Sequence, residues 1–248
     1  MSALELQPIQ KIQRAIQLAG FHYIASLKSH PTRADHEITY IDKTYSFEAI
    51  KSSNDQQLQV DFQSWAVASV VRDLIESFSI FLWDVYSHAV ANNPDGVFSS
   101  TPTKFEQRGI EDQLKILTVD FGIDSAWTSI LNGYNKARNC LAHRSGIVAA
   151  KDATDGNELV IRWLVLSIQT HDGATTQTIP SQGLMENLIQ GSHISGIGSH
   201  LFINDREKRV AIGNELQFFP DEFFGICQTF QLATAAIAGL SKPLSDKV

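Results

Sequence analysis

Between Asp61 and about Ala91 the chain carries more apolar side chains than one exposed helix face can hold. Val67, Val70, Val71, Leu74, Phe78, Phe81, Leu82 and Val85 recur at helical spacing, while Trp65, Ile75, Ile80 and Trp83 fall on the remaining faces. A helix that is apolar all round must be enclosed by other elements. Asn92-Asn93-Pro94-Asp95-Gly96 then stops it. The stretch therefore predicts the central rod of a helical bundle.

The rest of the chain supplies partners for that rod. Leu4, Leu6, Ile9, Ile12, Ile16 and Ala19 form one stripe, predicting a helix that carries Pro8 in its first turns and ends at Gly20. Between Phe21 and Gln59 the pattern weakens to one short strand, His36 to Ile41, and a loop at 52–55. Lys104 to Leu117 is a shorter amphipathic helix. Asp124 and Ser125 offer caps for another, which runs to about Arg144 with Gly133 weakening its middle by ~1 kcal/mol. Beyond a turn-rich break at 151–157 the composition becomes β-branched. Glu158 to Ile168, Thr175 to Ile179, His200 to Ile203 and Arg209 to Ile212 read as strands, the last two joined as a hairpin through 204–208. Leu184 to Gln190 reads as a helical turn. Pro220-Asp221-Glu222 opens a closing helix through about Leu240.

These elements describe a mainly α fold in one domain, 1–248. Residues 1–60 are an N-terminal extension with an additional helix, and 61–145 hold bundle helices. Residues 150–218 form a small antiparallel β insertion, and 220–240 the last helix. The helices at 61–91, 104–117, 125–144 and 220–240 can form a four-helix bundle.

The chemistry concentrates at the end of the third of these. Ile130, Leu131, Tyr134, Ala137, Leu141 and Ala142 keep helical spacing, and Gly146 follows where a helix end favours a left-handed residue. Into those turns are set a guanidinium (Arg138), an amide (Asn139) and an imidazole (His143). They fall at about 0°, 100° and 140° around the axis, on one broad face. Asn139 and His143 are an i, i+4 pair. With nine Arg, eight His and ten Asn in 248 residues, chance yields roughly 0.3 Arg-x4-His pairs per chain and roughly 0.01 with Asn directly after the Arg.

Arg138-Asn139-Cys140-Leu141-Ala142-His143 resembles the R-x4-6-H motif of the HEPN superfamily, in which a polar residue typically follows the arginine. The resemblance implies an up-and-down four-helix bundle that dimerises and brings two motifs together. It also implies a metal-independent endoribonuclease, in a toxin or antiviral defence setting, or else a member that has lost activity and binds a protein partner or a nucleotide. In the first case His143 takes the ribose 2′-OH proton and Arg138 stabilises the phosphate in transit, with no cofactor. Otherwise Arg138 pairs with a bundle carboxylate and His143 caps the helix end. Asn139 either orients His143 or contacts substrate, or simply binds backbone or water. Asp73 and Glu76, on the long helix, either support Arg138 or are solvated acids beside Arg72. The segments 1–60 and about 150–218 lie outside the family pattern, and the β insertion can either build or cap the dimer interface.

Composition excludes more than it selects. Hydrophobic content of 43% supports a core, and the mean hydropathy of −0.09 is that of a water-soluble globular chain. No apolar run approaches the ~20 residues of a membrane span, and MSALELQPIQKIQ lacks the layout of a secretion signal. Cys140 and Cys227 sit inside helical patterns and read as reduced core residues of a cytoplasmic protein. No metal-ligand spacing appears among the histidines, and GSHISGIGSH, with His193 and His200, reads as a flexible loop. The net charge of −7, with 20 basic against 27 acidic residues and no basic run, argues against a surface that grips a DNA duplex or RNA broadly. A narrow cleft engaging few phosphates, or a basic partner on an acidic face, remains compatible.

Overall fold

The computed structural model describes residues 3–28, 36–40, 43–47, 55–171, 176–178 and 199–238. In chain order these form α1 (Ala3–Lys28), β1 (His36–Tyr40), β2 (Lys43–Phe47), α2 (Asp55–Ala91), α3 (Pro102–Glu106), α4 (Ile110–Phe121), α5 (Ala126–Ile130) and α6 (Tyr134–Arg144). A 3-10 turn (Ala150–Asp152), β3 (Glu158–His171), β4 (Thr176–Thr178), β5 (Ser199–Ala211) and α7 (Pro220–Ala238) follow. The fold is mainly helical with small antiparallel sheets.

Helix α2 is the hub, packing against α1, α3, α4 and α6. Val71, Leu74, Ile75, Phe78, Phe81, Leu82 and Tyr86 are buried along it, while Val60, Trp65 and Ile80 reach solvent, so its apolar coat is incomplete. From α7, Phe230 brings its ring to 4.8 Å from that of Phe78. Gly20 does not end α1, which continues to Lys28. The added turns place Tyr23 in a stack on Phe223 of α7, with ring centroids 4.4 Å apart. An interior Gly weakens a helix by only ~1 kcal/mol relative to Ala, less than burying one aromatic side chain contributes. α1 is thus part of the core, through contacts with both α2 and α7.

Two expected helices are each broken by a glycine. The predicted 104–117 helix divides into α3, capped by Thr101 with Pro102 at its start, and α4, which begins after Gly109. The predicted 125–144 helix divides at Gly133, whose φ is 93°. There the carbonyl of Val160 lies so close that no Cβ fits.

In the β region, β3 and β5 form one long ladder from Glu158↔Ala211 to Thr170↔Ser199, with β4 on the other side of β3 at Gln169↔Thr178. The hairpin expected at 204–208 does not exist; β5 runs straight through it. Its charges are accommodated on the exposed strand, where Glu207 meets Arg162 at 3.3 Å and Arg209 at 2.8 Å. Helix α7 seals the opposite edge of β3: Thr229 Oγ1 accepts the Leu164 N–H at 2.7 Å and Gln228 Oε1 that of Leu166 at 3.1 Å. β1 and β2 pair as a separate hairpin, adding a partner strand to the one expected at 36–41. The helical turn expected at 184–190 lies outside the described residues, as does most of GSHISGIGSH.

Candidate active site

Helix α6 is oriented by its buried face. Tyr134, Ala137 and Cys140 point into the core. The Tyr134 hydroxyl donates to the Arg162 carbonyl at 2.7 Å, and its ring meets that of Phe230 at 5.1 Å. With that face fixed, Asn139 and Arg138 fall at the margin and His143 on the exposed side.

Arg138 reaches across to α2. Its Nη1 lies 3.5 Å from Glu76 Oε2, with 31% of the Arg138 side chain and 58% of Glu76 open to solvent. Asp73, one turn earlier, pairs instead with its neighbour Arg72 at 3.5 Å. Of the two candidate supporting acids, then, only Glu76 touches the motif arginine. Among the described residues no hydrogen bond joins the side chains of Asn139 and His143, so the pair shares a face without a direct link.

The helix ends in two successive left-handed residues, Ser145 (φ 49°) and Gly146 (φ 82°). The N–H groups of both point to the Cys140 carbonyl. Backbone therefore caps this terminus, and no cap bond from the His143 ring accompanies it. The chain beyond is stitched to the 213–216 segment: Leu216 N–H donates to Gly146 O and Val148 N–H to Asn214 O, at 2.8 and 2.9 Å.

A second ion pair holds the same helix end from inside. Asp152 is 1% exposed and receives Arg144 Nε at 2.8 Å, Arg144 Nη2, and the backbone N–H of Ala149 at 2.9 Å. Sequence patterning missed this pair. Arg144 lies beside the motif and Asp152 in a turn-rich break, and nothing periodic connects them.

The thiols lie in the interior. Burial pushes Cys227 up to about 12, and burial with the nearby Asp152 carboxylate raises Cys140. Neither is a nucleophile near neutral pH. Among the described residues no three His, Cys, Asp or Glu side chains are grouped to hold a metal ion. No helix among them is long and apolar enough to cross a membrane.

The arrangement offers a partly free guanidinium and an exposed imidazole within two turns of one helix whose other face is buried in the core. No protein-family model, curated protein or solved structure matches the chain.

Proposed function

We propose that this protein is an HEPN-like, metal-independent endoribonuclease acting as a cytoplasmic homodimer, in a toxin or antiviral defence role. The observation that carries the reading is the shared exposure of Arg138 and His143 at the end of α6. Glu76 steadies the arginine through a pair long and wet enough to leave guanidinium donors for a phosphate.

In this mechanism a single-stranded RNA lays its scissile phosphate against Arg138. His143 accepts the 2′-OH proton as that oxygen attacks the adjacent phosphorus. Arg138 stabilises the additional negative charge on the phosphoryl oxygens. The P–O5′ bond then breaks and the 5′-oxygen takes a proton from imidazolium or water. The products are a 2′,3′-cyclic phosphate and a 5′-hydroxyl. The nucleophile is internal to the RNA, so the step requires no metal-activated water.

The test is cleavage of single-stranded RNA in EDTA, comparing wild type with His143→Ala and Arg138→Ala. Cleavage by the wild type and its loss in both variants supports the nuclease. A folded, dimeric but inert wild type shifts the reading to a non-catalytic HEPN-fold module that binds a protein or nucleotide. The acidic balance of −7 favours that second reading.

A further inference from the structure

A concavity lies beside the motif helix, and neither Arg138 nor His143 lines it. It is an open groove of about 710 Å³ between α1, the first half of α2, the end of α6 and the 215–219 segment. Leu141, Ala142 and Ser145 form its α6 wall, on the stripe that Arg138 begins one turn earlier. Its opposite rim carries Leu27, Val60, Trp65 and Phe219, with Trp65 66% and Phe219 59% exposed. Exposed large apolar side chains gathered on one groove mark a binding surface.

Charge decides what kind. Among the described residues three charged side chains line the groove: Asp61, Arg72 and Glu215. Arg72 meets Asp73 at 3.5 Å with both side chains largely open to solvent, so its guanidinium still counts as the one cation of the lining. Lys208, over the Phe219 ring at 4.8 Å, is engaged by Glu222. By contrast, Asp61 accepts only the neutral Gln57 amide at 2.8 Å and Glu215 only that of Gln217 at 2.9 Å, among the described residues. Among the described residues the groove thus sets two carboxylates against one guanidinium in an otherwise neutral, largely apolar lining.

We propose that this groove docks a cationic amphipathic helix of a partner protein. Its apolar face would lie on Trp65, Leu141 and Phe219, with its Lys or Arg residues against Asp61 and Glu215. RNA is the less favoured occupant, because a polyanion would meet two carboxylates for one guanidinium. An open channel between helices with apolar anchors at intervals suits a helix laid lengthwise. The proposal stands whether or not the α6 site cleaves RNA. Because α6 supplies one wall, an occupant would also lie next to Arg138.

The test uses the full chain and three probes: a Leu/Lys amphipathic peptide of about 18 residues, roughly five helical turns, its Leu/Glu counterpart, and a single-stranded RNA oligonucleotide. Binding is followed by tryptophan fluorescence and by backbone amide protection. The expected result is binding of the Leu/Lys peptide alone at the groove, with protection at 60–72 and 141–146. The double variant Asp61→Asn, Glu215→Gln should weaken it about tenfold, two exposed charges each contributing a few-fold. Ala142→Trp, a substitution at an exposed position, should abolish it by filling the wall. Equal binding of both peptides, binding indifferent to these variants, no peptide binding, or RNA protecting the groove would each overturn the proposal.

Discussion

Arg138 and Arg144 stand six positions apart on one helix, and each faces a single carboxylate. Arg144 is 16% exposed and meets an Asp152 that is 1% exposed, through two guanidinium nitrogens, with a backbone amide completing the carboxylate's shell. Arg138 meets Glu76 through one contact of 3.5 Å, and both side chains are wet. The first pair is enclosed and saturated, so it can do nothing except hold the helix end against the 150–152 turn. The second is weak and incomplete, and for that reason available to a ligand. The same residue type is structural or chemical according to how much water its partner keeps.

The largest effect should come from the enclosed pair. Asp152→Ala strands a buried guanidinium and should lower stability by about 3–5 kcal/mol, measured by urea unfolding. A loss below about 1 kcal/mol would erase the contrast with the surface pair. Next, Arg138→Ala and His143→Ala should each reduce RNA cleavage by about 10²–10³-fold. Their unfolding midpoints should stay close to wild type. If Arg138→Ala unfolds the protein as Asp152→Ala does, Arg138 belongs with the structural pair.

Alkaline pH probes the interior without either arginine. Tyr23 and Tyr86 are buried, and each phenol is raised from 10.0 to about 12, by burial first. The Asp221 and Glu222 charges add to this at Tyr23, and the hydrogen bond to Asp120 at Tyr86. The folded state keeps protons that the unfolded chain releases above pH 10. This stabilisation is therefore complete below pH 10 and lost as pH rises toward 12. Unfolding midpoints measured from pH 9 to 12 should fall in that window, and a flat profile would show that both hydroxyls are open to water. The smallest effect belongs to Glu76→Gln: under about 1 kcal/mol in stability, as for an exposed pair. A stability loss matching that of Asp152→Ala would make the two pairs equivalent.

The helical periodicities of α2, α6 and α7 are legible in the chain because each buries one continuous stripe, and local spacing records that. The same stripe on α6 put Arg138 and His143 off the core face. Where the structure departs from the local pattern, a distant contact overrides a local signal. Gly20 reads as a stop, but Tyr23 stacking on Phe223 carries the helix past it. The run 204–208 reads as a turn, but pairing along the whole of β3 keeps it extended. Gly133 reads as a weak spot inside one helix. The Val160 carbonyl, from a strand that begins 25 positions later at Glu158, makes it a break.

By itself, then, the sequence determined that a long apolar rod would be wrapped by amphipathic helices, and that a guanidinium and an imidazole would share the outer side of one of them. Periodicity is a local property, and local spacing suffices to encode it. Only the tertiary structure decided which carboxylate each arginine meets, how much water each pair retains, and that an acidic, apolar groove opens beside the motif. Those depend on residues far apart in the chain, such as Glu76 with Arg138, or Asp61 and Glu215 on the lining of one groove, whose placement no spacing announces.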